Sequence, residues 1–382
     1  MNREEFLTYK KKILAKAKRI VVKIGSAVVT TENGLDLKVI TRLADDLAGL
    51  HSQGREVVLV SSGAMAAGAR TLSLTGHEGF KITAKQAISA IGQSRLMHVY
   101  DETFARFSTI TAQVLLTKDD LKHRERFLNA RNTFFQLFKW KILPIVNEND
   151  TVAVQELKFG DNDQLAVRIV NLVEADLLIN LTSAEGVFEK NPKKYPEAAK
   201  IEYIDNIFSL NLTEVCEGKS ECGTGGMYSK LLSAKRAAQL GVPTVILPGK
   251  KRFVLEQLFK GEDIGTWVLP EGKKIARRKF WFAYNLDPEG EIIIDKGAGL
   301  ALKKGKSLLP VGIKQVKGNF EKGALVKVIT EDGLWLGVGL SNYSAREVEK
   351  IKGQKSSDLS IKLKDALYSE VIHADNLLLE VF

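Results

Sequence analysis

Cysteine is nearly absent: Cys216 and Cys222 are the only two in 382 residues. A single C-x5-C pair matches no zinc or redox spacing, and free thiols in a reducing cytoplasm are the expected state. Long apolar runs are missing too. Nothing approaches the ~20 residues needed to cross a bilayer, and residues 1–19 lack the apolar stretch of a secretory signal. Histidine is sparse. None of His51, His77, His98, His123 and His373 stands at ligand or catalytic spacing from a cysteine or carboxylate. There is no G-x-S-x-G elbow and no H-E-x-x-H pair. The glycine-rich run Gly223–Lys230 lacks the Walker A spacing. Disulfide-stapled, membrane-spanning, zinc-protease and P-loop classes are thereby set aside, and no protein-held metal is expected.

What the chain does have is ordinary bulk composition, 27% charged and 45% hydrophobic, with a net charge of +10. The excess is local. Residues 2–19 carry +5 and residues 270–279 carry +4, whereas residues 280–382 are neutral, with 14 basic and 14 acidic side chains. A solvated helix face and a solvated connector account for such blocks without a polyanionic partner.

Residues 2–19 read as an amphipathic helix, with Phe6, Leu7, Ile13, Leu14 and Ala17 on one side. Short apolar strands follow at Arg19–Ile24, Glu56–Val60, Ile110–Leu116, Ile142–Val146, Ala175–Leu181 and Pro243–Leu247. Helical periodicity separates them, at Leu37–Ser52, in two stretches around Ile82–Phe107, and at Lys118–Trp140, Gln164–Val173 and Tyr228–Leu240. Val152–Phe159 alternates like a hairpin or exposed strand, and residues 186–205 read as an irregular excursion. This alternation predicts an α/β fold, a mainly parallel sheet sandwiched by helices. After residue 270 the texture changes to short β runs at Glu291–Asp295, Ala324–Thr330 and Trp335–Ser341, with one helix at Ala345–Ile351. The expected division is a domain over 1–275 (an N-terminal extension over 1–19, a linker over 270–286), a small β-rich domain over 287–367, and a tail over 368–382.

Most of the polar motifs follow apolar runs, where an open parallel sheet places its ligand-facing turns. Lys23 closes the first strand and is followed by Gly25, whose missing Cβ lets backbone amides approach an anion. Gly223-Thr224-Gly225-Gly226 runs into the helix bearing Lys230; glycine amides at a helix N-terminus suit phosphate. A lysine in a first helical turn opposes the helix dipole, a conflict that a bound polyphosphate removes. Ser61-Ser62-Gly63, Asn147–Asp150 and Gly160–Asp163 supply carboxylates and amides for an ammonium group, and a hydroxyl and an amide for a carboxylate. Together these suit a small zwitterion such as an amino acid. Each motif alone also has a plain structural reading, as surface lysine, flexible loop or Asx turn.

The ordered set Val22–Ser26, Val58–Gly68 (VLVSSGAMAAG), Arg124–Arg131 (RERFLNAR), Val146–Val152 (VNENDTV), Gly160–Leu165 (GDNDQL) and Gly223–Lys230 (GTGGMYSK) resembles the amino acid kinase superfamily. The tail, with Leu308-Leu309-Pro310-x-Gly312-Ile313 and Gly318-Asn319-Phe320, looks like the PUA module appended to many such kinases. The resemblance implies catalytic roles for Lys23, Lys230 and Asp163, the last organising the lysines. It implies substrate contacts from Ser62, Asp150 and Asn162. ATP contacts are implied for Lys23, Thr182, Ser183, Thr224, Gly225, Gly226, Met227, Tyr228, Ser229 and Lys230. Ser183 departs from the aspartate common at that position, and Tyr228 replaces a small polar residue.

The activity implied is ATP-dependent phosphorylation of the L-glutamate side-chain carboxylate, with Mg²⁺ held mainly through the nucleotide phosphates. Proline is the implied inhibitor, a glutamyl phosphate reductase the implied recipient of product, and a homodimer or homotetramer the implied assembly. Two rivals stand beside this reading. Another kinase of the same fold would act on acetylglutamate, aspartate or a nucleoside monophosphate. An RNA-binding protein would use the PUA-like module, although the neutral charge of residues 280–382 opposes backbone binding.

Overall fold

The computed structural model describes residues 1–74, 80–153, 162–192, 194–210, 212, 226–270, 274–354 and 368–379. The chain forms two compact units, Met1–Lys274 and Ile275–Phe382.

In the first unit, strands β1 (Arg19–Ile24), β2 (Glu56–Ser61), β3 (Thr111–Leu116), β4 (Leu143–Glu148), β5 (Leu177–Thr182), β6 (Tyr203–Ile204), β7 (Thr244–Pro248) and β8 (Thr266–Val268) form one sheet. Their order is β6-β8-β7-β5-β1-β2-β4-β3. Every pairing is parallel except β7 with β8. The central strands β1, β5 and β7 are almost wholly buried, as a sheet covered on both faces requires.

Helix α1 (Arg3–Lys16) begins with a capping box between Asn2 and Glu5; its first turn meets the edge strand β6 and its far end meets Arg55, ahead of β2, which donates to the Leu14 and Ala17 carbonyls. Phe6 stacks on Tyr203 at 4.4 Å, the Met1 amine reaches Asp205 at 3.1 Å, and Arg3 pairs with Glu202 and Asp263, each at 3.2 Å. The expectation of a solvated basic face needs amendment. Lys10 is buried, bonded to the Glu262 carbonyl at 2.7 Å and to Asp263 at 2.9 Å.

Helix α2 (Leu37–Ser52), capped by Asp36, buries its apolar stripe against β1 and β2. Helices α3 (Ala64–Thr71) and α4 (Ile82–Ala105) cross backbone to backbone. A Cβ on Gly68 would lie 1.9 Å from the Ile88 carbonyl, and one on Gly92 1.7 Å from that of Ala64. The stretch expected to be helical over 118–140 is broken. It forms α5 (Lys118–Lys122) and α6 (Arg124–Lys139), because His123 takes an extended conformation (ψ 121°) and caps the second helix. Helices α7 (Asn162–Val173) and α8 (Met227–Gln239) complete the parts that carry the site.

The second unit holds a separate five-stranded sheet. Its strands are β9 (Gly290–Ile294), β10 (Ile313–Gly318), β11 (Leu325–Thr330), β12 (Trp335–Leu340) and β13 (Leu377–Leu379), in the order β10-β9-β11-β12-β13. Two segments differ from the sequence reading. Arg277–Asn285, expected within a linker, is a helix that buries Phe280 and Phe282. Leu377–Leu379, expected in a tail, pairs with β12. The basic block over 273–279 masks the first of these, since its charges precede the aromatic face instead of alternating with it. Lys296–Lys303 is a further helix, capped by Asp295.

Candidate active site

The carboxyl ends of β1, β2, β4 and β5 gather the polar residues. On β1 the apolar Val22 and Ile24 face one side of the sheet and Lys23 the other. In register with Lys23 stand Val60 on β2 and Asn180 on β5. Helix α7 covers that face and brings Asp163 down onto it.

Asp163 has no solvent exposure. Its Oδ1 lies 2.5 Å from the Lys23 ammonium, and its Oδ2 accepts from the Lys230 ammonium at 3.2 Å. Both lysines are buried. Two cations thus share one carboxylate, which holds them together against their mutual repulsion. Taking three charged groups out of water is costly. Two ammonium groups fixed side by side suit an anion on which charge develops between them.

Lys230 reaches the cluster because α8 starts at Gly226, which contributes no side-chain cap to the helix N-terminus. Met227, Tyr228 and Ser229 form the half-buried first turn. Thr224 and Gly225, like Asp161, Cys216, Cys222 and Val154–Phe159 of the expected hairpin, lie outside the described residues. Thr182 closes β5 on the same face as Asn180. It is buried and its carbonyl accepts from Gly249 N–H at 2.7 Å, whereas Ser183 is exposed.

A second, uncharged network lies at the ends of β2 and β4. The Asn162 side-chain amide donates toward the Ser61 carbonyl at 2.7 Å, the Ser62 hydroxyl at 2.9 Å and Asn147 Oδ1 at 3.0 Å. Asn147 donates in turn to Gln93 Oε1 at 2.8 Å, and its Oδ1 also accepts from Glu148 N–H. Asp150 accepts from the Ser89 hydroxyl at 2.6 Å. Gly63 opens α3 with φ 111°, a left-handed conformation that glycine adopts without strain. It turns the chain sharply after Ser62. Beneath the turn the Ser61 and Tyr100 hydroxyls are 2.8 Å apart, and burial pushes the Tyr100 hydroxyl up to about 12 against the lowering effect of that bond.

Lys23, Lys230 and Asp163 therefore meet in one cluster, and Ser62 and Asn162 in another. Asp150 sits beside α4. The two clusters are joined through consecutive residues, Asn162 and Asp163, at the start of α7. Sequence reasoning overlooked Ser89, Gln93 and Asn180. The first two had a signal: Gln86, Ser89 and Gln93 are polar residues at helical spacing on one face of α4. Asn180 had another, a lone amide inside the apolar run Leu177–Leu181.

Residues 18–248 match the model of the amino acid kinase family, and residues 290–362 that of the PUA domain. The chain belongs to the amino acid kinase family: it is a phosphoryl-transferring enzyme with an appended PUA domain. Within that class it is similar to the glutamate 5-kinases. It is 58% identical over 368 residues to the glutamate 5-kinase of Maridesulfovibrio salexigens (96% of this chain, 97% of the relative). It is 54% identical over 376 residues to that of Oleidesulfovibrio alaskensis (98% and 99%), and 46% identical over 367 residues to that of Geobacter metallireducens (96% and 98%).

Proposed function

We propose that the protein transfers the γ-phosphoryl group of ATP to the side-chain carboxylate of L-glutamate, giving L-glutamyl 5-phosphate and ADP as the first step of proline biosynthesis. The observation that carries this reading is the Lys23–Asp163–Lys230 cluster beside the neutral Asn162–Ser62 network. Near-full-length similarity to glutamate 5-kinases supports the acceptor.

Charge decides the mechanism. A glutamate side chain, with a pKa of about 4.3, is ionised at neutral pH and needs no general base to attack. The difficulty is to bring two anions together in line, so the residues must neutralise and align. Lys23 and Lys230 stabilise charge on the transferring phosphoryl group, and Asp163 fixes the spacing between their side chains. Met227–Ser229, with Thr224, Gly225 and Gly226, hold the nucleotide phosphates at the start of α8, and Thr182 and Ser183 border the nucleotide. Ser62, Asp150 and Asn162 hold glutamate.

Among the described residues no group of three His, Cys, Asp or Glu could hold a metal, and Asp163 is committed to two lysines. These residues fit a Mg²⁺ carried on the ATP phosphates, where it would neutralise phosphate charge. The acyl phosphate product is open to hydrolysis, which favours a reductase as its consumer. Proline as feedback inhibitor, a homodimeric or homotetrameric assembly and a cytoplasmic setting complete the proposal.

The test is trapping of product with hydroxylamine in the presence of ATP, Mg²⁺ and L-glutamate. Formation of γ-glutamyl hydroxamate that depends on both substrates is expected. ADP release with acetylglutamate, aspartate or a nucleoside monophosphate, and no hydroxamate from glutamate, would overturn the acceptor assignment.

A further inference from the structure

Asn180 sits within β5, between the apolar Leu177–Ile179 and Leu181, and it is almost fully buried. Its amide nitrogen donates to Asp163 Oδ1 at 2.9 Å, the same oxygen that receives Lys23. Its own carbonyl oxygen finds no donor among the described residues. As a structural element this is a poor choice. Asparagine is disfavoured in strands, and a buried acceptor without a partner costs roughly 1–3 kcal/mol. A leucine of similar size would fit the surrounding run without that cost. The amide therefore has to be explained by what its N–H does.

We infer that Asn180 is a positioning residue of the phosphoryl-transfer site: it anchors Asp163 Oδ1 so that Lys23 can leave that oxygen for a phosphoryl oxygen without stripping the buried carboxylate of its partner. This deepens the proposed kinase mechanism and rests on it. Lys23 is held at 2.5 Å from a carboxylate that no water reaches. Moving toward a second anion takes the Lys23 ammonium away from Oδ1, which is costly in a dry site. A neutral donor that stays behind lowers that cost without adding charge to the cluster. It also fixes the carboxylate plane, which keeps Oδ2 directed at Lys230. Register supports the assignment: Asn180 is the Cα partner of Lys23 on the adjacent parallel strand, so both side chains leave the sheet on the same face.

The test compares Asn180→Leu and Asn180→Asp with the wild type, using whichever acceptor the wild type phosphorylates, so that an error in the acceptor leaves the test intact. For Asn180→Leu, kcat falls by about ten- to a hundredfold, KM for both substrates stays within about threefold, and Tm is unchanged or raised. A merely structural amide predicts the reverse, a lowered Tm with kcat retained. Asn180→Asp places a second carboxylate beside Asp163 and replaces the N–H donor to Oδ1 with an acceptor. Its protonated form regains a donor, so its kcat relative to wild type rises as pH falls. If Asn180→Leu does not fold, that pH-dependent ratio decides. An Asn180→Leu enzyme with kcat within twofold of wild type, or an Asn180→Asp ratio that is flat with pH, overturns the inference.

Discussion

The two halves of the site are built on opposite principles. The half around Asp163 is charged, sealed from water and held by two ion pairs. The half around Asn162 and Ser62 is neutral, held by amides and hydroxyls on β2, β4 and α4. The difference follows from what each must do. Charge that builds up during phosphoryl transfer is best met by fixed cations in a dry site. A zwitterion that must enter and leave is met mainly by neutral dipoles, which can release it, with the carboxylate of Asp150 left for its ammonium group. Adjacent residues 162 and 163 couple the two halves through one helix start.

The comparison can be broken most forcefully at the lysines. Lys23→Ala or Lys230→Ala should lower kcat by about a thousandfold, with far smaller changes in glutamate KM. Steady-state kinetics of both variants checks this, and near wild-type kcat would end the account of the charged half. A smaller, differently shaped effect is expected from Asn162→Leu. Glutamate KM should rise about tenfold while ATP KM moves little. If kcat falls instead and glutamate KM holds, the neutral half does not bind the acceptor.

The gentlest test uses a buried carboxylate that has no part in the site. Asp46 on α2 accepts backbone N–H bonds from Leu255 and Glu256, and burial pushes its carboxyl up to about 6. Between the ordinary value near 4 and about 6, the folded protein keeps a proton that the unfolded chain has lost. Stability therefore falls as pH rises through that window, and the deficit is complete above it. Asp46→Asn keeps an acceptor for Leu255 and should raise Tm by a few degrees at pH 8, with no gain near pH 3.5. Equal Tm at both pH values would show that Asp46 folds without penalty. The contrast with Asp163 is the point: one carboxylate has a backbone for company, the other two ammonium groups.

The parallel sheet was legible because its strands are short unbroken apolar runs punctuated by glycine and Asx turns; Arg19–Ile24 is found with identical bounds. The small β-rich second unit was legible from its change of texture. Three kinds of feature were not. Strand β8 pairs antiparallel with β7 over three residues, too short for a periodic signal. The break at His123 depends on one backbone torsion within a continuous helical pattern. Strand β13 is recognisable only through its partner β12. In the site, the chemical types were readable from the motifs, since lysines, carboxylates and amides stand out at strand ends. Which carboxylate would bridge the lysines was carried by family resemblance, because adjacency between β1, α7 and α8 is a property of the folded sheet. The supporting residues Ser89 and Gln93 lie on a helix face that only the glycine contact between α3 and α4 brings into range.

The position of α1 has a bearing on how the sheet meets other polypeptides. Strand β6 is a border strand, and an uncovered border invites templated pairing by any extended segment that drifts against it. Here the border strand is only two residues long, and the start of α1 sets charged pairs at its margin, with Phe6 on Tyr203 and basic groups on Asp205, Glu202 and Asp263. A margin so short and so charged is a poor template for β-addition.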